Sequence, residues 1–390
     1  MAGITTDAWM LDQGPARQAA AKPEPARLRR GPFSFSNITE DEVLAEPIYG
    51  CWEANMAHAL ERAPIDVCRH RGEAEVVIGN AGVVRILQVG EAVKTVNPGD
   101  LCIVFCNGIW DRFGYPEKIL AYDAPQTMGV LAKRIKLHSR QVIAIPHKTR
   151  HSLQQWAAFS LRYITAWANW KQAYGCWRLQ TDEAQEQRPI VWGWGGGVSL
   201  AELSLAKWFG CEAAMISSDE KRLGKISRMG ITPIDRRQFI NLEFDERRYA
   251  ADKEYQQAYL AAEEVFLNLV QQKTGGAGVS IFADYIGAPV WRATLKALSR
   301  RGVITTAGWK AGMKLSTVRA IECMSWHTHV HTHYARYSEG VEAMHFAEEK
   351  GWLPPLAGEE YGWDYIPQLA EDYAGRRLST YFPIFQVNPL

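Results

Sequence analysis

Two periodicities divide the chain. Between residues 31 and 150 the apolar runs are strand-length: EVVIG (75–79), AGVVRILQVG (81–90), LCIVFC (101–106) and RQVIAIP (140–146). Gly, Pro and Asp punctuate them, as in NPGD at 97–100, so this half predicts a compact β-rich barrel. From residue 153 the spacing turns helical in LQQWAAFSLRYITAWANWKQAYG, and strands then alternate with helices. PIVWGW, LAELSLAKWFG and CEAAMISS form a βαβ unit around a glycine-rich turn, and DEKRLGKISRMG and TPID extend it. VSIFADYIG, VWRATLKALSRR and GVITTAG add a strand, a helix and a strand, while the charged, Tyr-rich segment 240–273 predicts one or two exposed helices between them. Residues 1–30, rich in Ala, Pro, Gln and Arg, predict a flexible arm. No internal repeat of fixed period stands out.

Composition narrows the classes. A chain of 390 residues with 47% hydrophobic content buries a large core and suggests two domains. Its 44 Lys and Arg against 43 Asp and Glu leave no global field to attract nucleic acid or an anionic membrane, so phosphate binding must be local. No membrane-length apolar run and no signal-type N-terminus is present, which makes the cytoplasm the expected compartment. The seven cysteines form no CxxC pair and read as reduced, mostly buried thiols.

The glycine turn carries the first candidate chemistry. In VWGWGGGVSLAELSLAKWFG a strand ends in glycines and a helix begins, where free N–H groups can hold a pyrophosphate. A strict G-x-G-x-x-G would put glycine at 194, 196 and 199, but the chain has Trp194, Gly196 and Ser199. The next strand ends in Ser217, Ser218 and, after two acids, Lys221, which suits a 2′-phosphate and favours NADP(H); the bland alternative is that Ser218 merely caps the following helix. The expected cofactor-binding set is Gly193, Gly196, Gly197, Val198, Ser217, Ser218, Lys221, Arg236, Gly287 and Gly308.

NAGVVRILQVGEAVKTVNPGD, the GGV turn, SSDEK, FADYIGAPVWRATLKAL and GVITTAG together resemble a medium-chain dehydrogenase/reductase. MISSDEKRLGKISRMGITPIDRRQF and THYARY are similar to the crotonyl-CoA carboxylase/reductase branch. The resemblance implies an α/β protein with a GroES-like β-barrel catalytic domain over 31–160 and 328–390 and a doubly wound Rossmann domain over 161–327. It implies an NADPH-dependent reductase of an α,β-unsaturated acyl thioester, on coenzyme A or acyl carrier protein, in a biosynthetic pathway and as a homodimer or homotetramer. Zinc-dependent relatives carry Gly-His-Glu where this chain has Val77, Ile78 and Gly79, and the four-cysteine lobe is missing, so no metal is expected.

HTHVHTHYARY (327–337) sets four histidines at strict alternation, which on a strand would place His327, His329, His331 and His333 on one face. That spacing suits a metal site or a merely decorated strand. By resemblance, His333 aligns with an active-site histidine and becomes the foremost catalytic candidate. Tyr49, which could donate to a substrate carbonyl, and Asp123, aligned with a family acid, follow. The asparagine that helps hold carbon dioxide in that family has no counterpart in Ile48-Tyr49-Gly50-Cys51-Trp52, which puts carboxylation in doubt. A carbonyl, quinone or alcohol oxidoreductase of the same superfamily, or a divergent member without hydride chemistry, are the alternatives.

Overall fold

The computed structural model describes residues 3–15, 24–181, 188–308, 314–356, 358 and 360–390. The chain divides into two compact units, one comprising Met1–Ile164 with Ala335–Leu390 and the other Thr165–Tyr334.

The first unit is antiparallel. Strands β1 (Ile4–Asp12) and β2 (Arg29–Phe35) pair at one side, while β3 (Glu42–Cys51) pairs with β4 (Gly82–Val89), which pairs with β5 (Leu101–Val104). β3 also carries β6 (Ile135–His138), and β5 carries β7 (Val142–Ala144). Their inward positions, among them Val43, Ala45, Val84, Ile86, Cys102 and Val104, form the core of a curled half-barrel. This is the expected GroES-like half. The flexible arm expected over 1–30 is a correction: β1 is an ordered strand whose alternate residues Thr6, Ala8 and Met10 are buried. Arg29 and Arg30 on β2 pair with Asp12 and Asp7 and hold its edge. Residues 16–23 of that segment lie outside the described residues.

Between β3 and helix α1 (Ala54–Glu61), Arg162 of helix α2 (Leu153–Gln180) fastens three consecutive residues. Its guanidinium donates to Cys51 Sγ (2.8 Å) and to the Trp52 carbonyl (2.7 Å), and it pairs with Glu53 (2.8 Å), all fully buried. Burial pushes the Glu53 carboxyl up to about 7, with Arg162 pulling it back. The Cys51 thiol is raised to about 12, again by burial first, so it is an inert thiol.

The second unit is a six-stranded parallel sheet. β8 (Ile190–Trp194), α3 (Gly197–Trp208), β9 (Glu212–Ser217), α4 (Glu220–Arg228) and β10 (Thr232–Asp235) form the first half. After α5 (Lys253–Lys273), β11 (Val279–Asp284), α6 (Ala288–Ala297), β12 (Leu298–Thr306) and β13 (His329–His331) form the second. The order β10-β9-β8-β11-β12-β13 reverses direction between β8 and β11, which is where doubly wound sheets bind ligands, outside the carboxyl ends of their strands. The inserted segment is less exposed than its composition predicts, because α5 buries Tyr259, Phe266 and Val270 against this sheet. No helix among the described residues is long and apolar enough to cross a membrane.

Replacing Arg162 by Met strands Glu53 in the core and should cost about 3–5 kcal/mol in a denaturant titration, the usual scale for breaking a buried pair from one side. Arg162→Met/Glu53→Gln should recover at least half of that loss. A single variant as stable as the unmodified chain would show that the pair anchors nothing.

Candidate active site

The turn after β8 answers the question raised by its degenerate fingerprint. Trp194 is buried between Phe266 and Phe282, at ring-centroid distances of 5.3 and 5.1 Å, so its indole fills the core and not the turn. Gly195 takes φ +137, where any Cβ would meet Ser199 Oγ at 2.5 Å and Tyr285 Cβ at 2.9 Å. Ser199, at the position of the missing third glycine, donates its hydroxyl to the Trp194 carbonyl (2.9 Å) and ties the helix to the strand. Gly196 is the N-cap of α3, and a Cβ there would stand in open space. Gly197 and Val198 then begin the helix, whose first N–H groups lack partners within the helix itself and can receive an anion. Gly193 sits inside β8, one step below the turn, where its missing Cβ lets Ala283 and Leu203 approach.

Two neighbouring loops border the same end of the sheet. Gly287, at φ +87, is the N-cap of α6 and donates its N–H to Asp284 Oδ1 (2.9 Å). Asp284 also accepts from Ile286 N and Thr294 Oγ1, and burial raises its pKa. Gly308, at φ +98, follows β12. At the end of β9, Ser217 is half-buried, while Ser218 and Lys221 are exposed. The cap of α4 is Asp219, which accepts from Arg222 N (2.8 Å); the expectation that Ser218 caps this helix is therefore corrected. Asp219 directly precedes the helix and its carboxylate reaches that N–H, whereas Ser218 stands one residue too early to be the cap. Arg236 follows β10 and pairs with Glu243 at 2.9 Å.

The histidine ladder is shorter than its spacing predicts. Only His329 and His331 lie on β13, His327 falls in the left-handed region at φ +53, and His333 lies beyond the strand. His331 is the more buried, and burial followed by its histidine neighbours pulls its pKa below the usual range. Tyr49 on β3 is buried, and burial and then Glu360 raise its pKa. Asp123 accepts the Ile119 N–H at 2.6 Å and so closes a local turn. Both belong to the antiparallel unit, whereas His333 and every cofactor candidate belong to the parallel one.

Sequence reasoning missed two buried polar residues under this site. Glu202 of α3 is completely buried; Tyr285 donates its hydroxyl to Oε2 at 2.8 Å, and Oε1 has no hydrogen-bond partner among the described residues. Burial pushes its carboxyl up to about 8, against the opposing pull of Tyr285, and so favours the neutral acid. A signal existed: Glu202 shares a helix face with the buried Leu205 and Ala206, three and four residues on. Asn169 of α2 is likewise fully buried among the small residues Ala166, Ala168 and Ala173, and its amide bonds the backbone of His333.

No family model matches the chain. Crotonyl-CoA reductase of Streptomyces collinus is 24% identical over 307 residues, which cover 76% of this chain and 64% of that protein. The chain thus spans just under two thirds of the length of that relative. Among solved structures, crotonyl-CoA carboxylase/reductase AntE in complex with NADP superposes with a TM-score of 0.77 at 19% identity, covering 98% of this chain and 95% of that one. The 2-octenoyl-CoA carboxylase reductase CinF in complex with NADP and 2-octenoyl-CoA gives 0.76 at 18% identity, covering 98% and 87%.

Glu202 should leave a mark on stability. Its folded-state pKa of about 8 lies above the ordinary 4.5, so the folded chain holds this proton more tightly. Its contribution is complete below about 4.5 and is lost as pH rises through about 8, at up to about 1.4 kcal/mol per pH unit. Glu202→Gln should therefore flatten the fall in unfolding free energy between those limits, and identical slopes for the two proteins would contradict this.

The chain has the fold of the crotonyl-CoA carboxylase/reductase structures, and its sequence is similar to that of crotonyl-CoA reductase of Streptomyces collinus.

Proposed function

We propose that the protein is an NADPH-dependent, zinc-independent reductase of an α,β-unsaturated acyl thioester, carried on coenzyme A or acyl carrier protein within a biosynthetic pathway. The observation that carries this reading is the open glycine turn at the point where the sheet reverses: Trp194 turns into the core, and Gly196 leaves the helix N-terminus clear. Gly195, Gly196, Gly197 and Val198 would hold the pyrophosphate, with Gly287 and Gly308 at the neighbouring strand ends. Ser218 and Lys221, both exposed beside the end of β9, would hold a 2′-phosphate. When bound, the cofactor supplies hydride.

The remaining chemistry falls to side chains. Adding hydride to the β carbon places negative charge on the thioester oxygen and α carbon. His333, held beyond β13 in the cofactor-binding unit, would orient the thioester and supply the α proton. The Tyr49 phenol, whose pKa burial raises further, is a candidate donor to the substrate carbonyl. Asp123 serves its local turn and takes the lesser part. We propose a homodimer or homotetramer as well: β13 stands at the sheet edge with Trp326 and Val330 exposed, and light scattering should read a mass of two or four chains.

Two measurements test the assignment. NADPH should bind more tightly than NADH, and Lys221→Ala should shrink the preference by roughly 10- to 150-fold, the worth of a charge-assisted contact; equal binding of both cofactors to the unmodified protein would refute the role given to the end of β9. Given NADPH, an enoyl thioester and bicarbonate, the enzyme should yield mainly the saturated, uncarboxylated product. His333→Ala should slow that reaction by about 100-fold or more. A dominant carboxylated product, or a fully active His333 variant, would overturn this account of the pocket.

A further inference from the structure

Asn169 is fully buried, and its side-chain amide fills every hydrogen-bonding position it has. Nδ2 donates to the His333 carbonyl (3.0 Å) and to the Thr165 carbonyl one helical turn back (2.9 Å). Oδ1 accepts the His333 N–H (3.1 Å) and the Thr305 hydroxyl (2.9 Å). Two of these four partners are the donor and the acceptor of one backbone residue, so the amide does for His333 what a neighbouring strand would do. The pairing also fixes which way the amide faces, because the His333 N–H demands an oxygen and its carbonyl a nitrogen.

The clasp sits where regular pairing has run out. β13 ends at His331, and the last residue it matches on β12 is Thr305, whose side chain is buried and turned to Asn169. The Thr332 hydroxyl donates to the Thr306 carbonyl, so the backbone just before His333 is held to β12 as well. Nothing in the packing of an apolar helix against a sheet requires an asparagine in this place. Half of its bonds go to the backbone of His333, whose ring is only half-buried.

We propose that Asn169, locked by Thr305, is a positioning residue for His333, fixing its backbone and thereby the approach of its imidazole to the acyl thioester. This rests on the assignment of His333 to the substrate made above. The test uses the full chain with Asn169→Ala, Thr305→Val and the double variant. Crotonyl-CoA with NADPH gives kcat and KM, fluorescence titration gives NADPH affinity, and amide hydrogen exchange reports on residues 329–335. For Asn169→Ala, kcat should fall about 10- to 100-fold, the scale of a misplaced reacting group, with NADPH affinity unchanged and exchange accelerated over 329–335 but not over β8 or β11. Thr305→Val should lose less, and over 329–335 the double variant should exchange no faster than Asn169→Ala, because the Thr305 hydroxyl, which also meets Tyr285, bonds Asn169 through the same amide that holds His333. Accelerated exchange with unchanged kcat would reduce Asn169 to a structural part, and unchanged exchange would show that it holds nothing; either overturns the proposal. Should Asn169→Ala fail to fold, Thr305→Val decides, with lowered kcat at unchanged NADPH affinity in favour and unchanged kcat against. An unmodified chain inactive toward every enoyl thioester would defeat the functional reading instead, and exchange over 329–335 would still decide whether Asn169 holds His333.

Discussion

The backbone of Gly195 is squeezed between Ser199 and Tyr285, and the rest of the site depends on that contact. Only a residue without a Cβ takes φ +137 there, and only that φ lets the strand turn into α3 while Trp194 swings into the core. The indole, which by sequence stands where a glycine belongs, thus becomes part of the aromatic packing under the sheet. The helix N-terminus is left clear on its outer side.

The same squeeze organises the polar layer beneath the turn. Tyr285 packs against Gly195 with its Cβ and reaches Glu202 on α3 with its hydroxyl. A buried carboxyl with one bonded oxygen is costly as an anion, and burial shifts Glu202 toward the neutral acid. Thr305, which meets Tyr285, extends this layer through Asn169 to the backbone of His333. Glycine turn and candidate histidine are therefore both set by interior hydrogen bonds of one unit.

Much of the fold was legible in the sequence, because it rests on local pattern. The short apolar runs of β4 and β5 and the strand–glycine–helix punctuation around 190–218 each specify an element from neighbours alone. β1 escaped notice because its inward residues are Thr6, Ala8 and Met10, a weakly apolar set inside a polar segment. The histidine ladder misled in the other direction: alternation predicts a strand, but pairing with β12 extends over three residues only, and His327 turns out of it. Asn169, Glu202 and Arg162 were invisible as a group because their partners lie far away in sequence. A single polar residue on an apolar helix face signals a buried interaction without naming its partner.

The central claim is that hydride passes from NADPH held at the Gly195–Val198 turn to the β carbon of an enoyl thioester. Single-turnover reduction of an enoyl-CoA with NADPH deuterated at C4 of the nicotinamide, on the transferred face, followed by mass spectrometry of the acyl product, tests it most directly. The account predicts a saturated acyl chain carrying one deuterium at the β carbon. A saturated product without deuterium, or deuterium found only on a carbonyl-derived alcohol carbon, would contradict it.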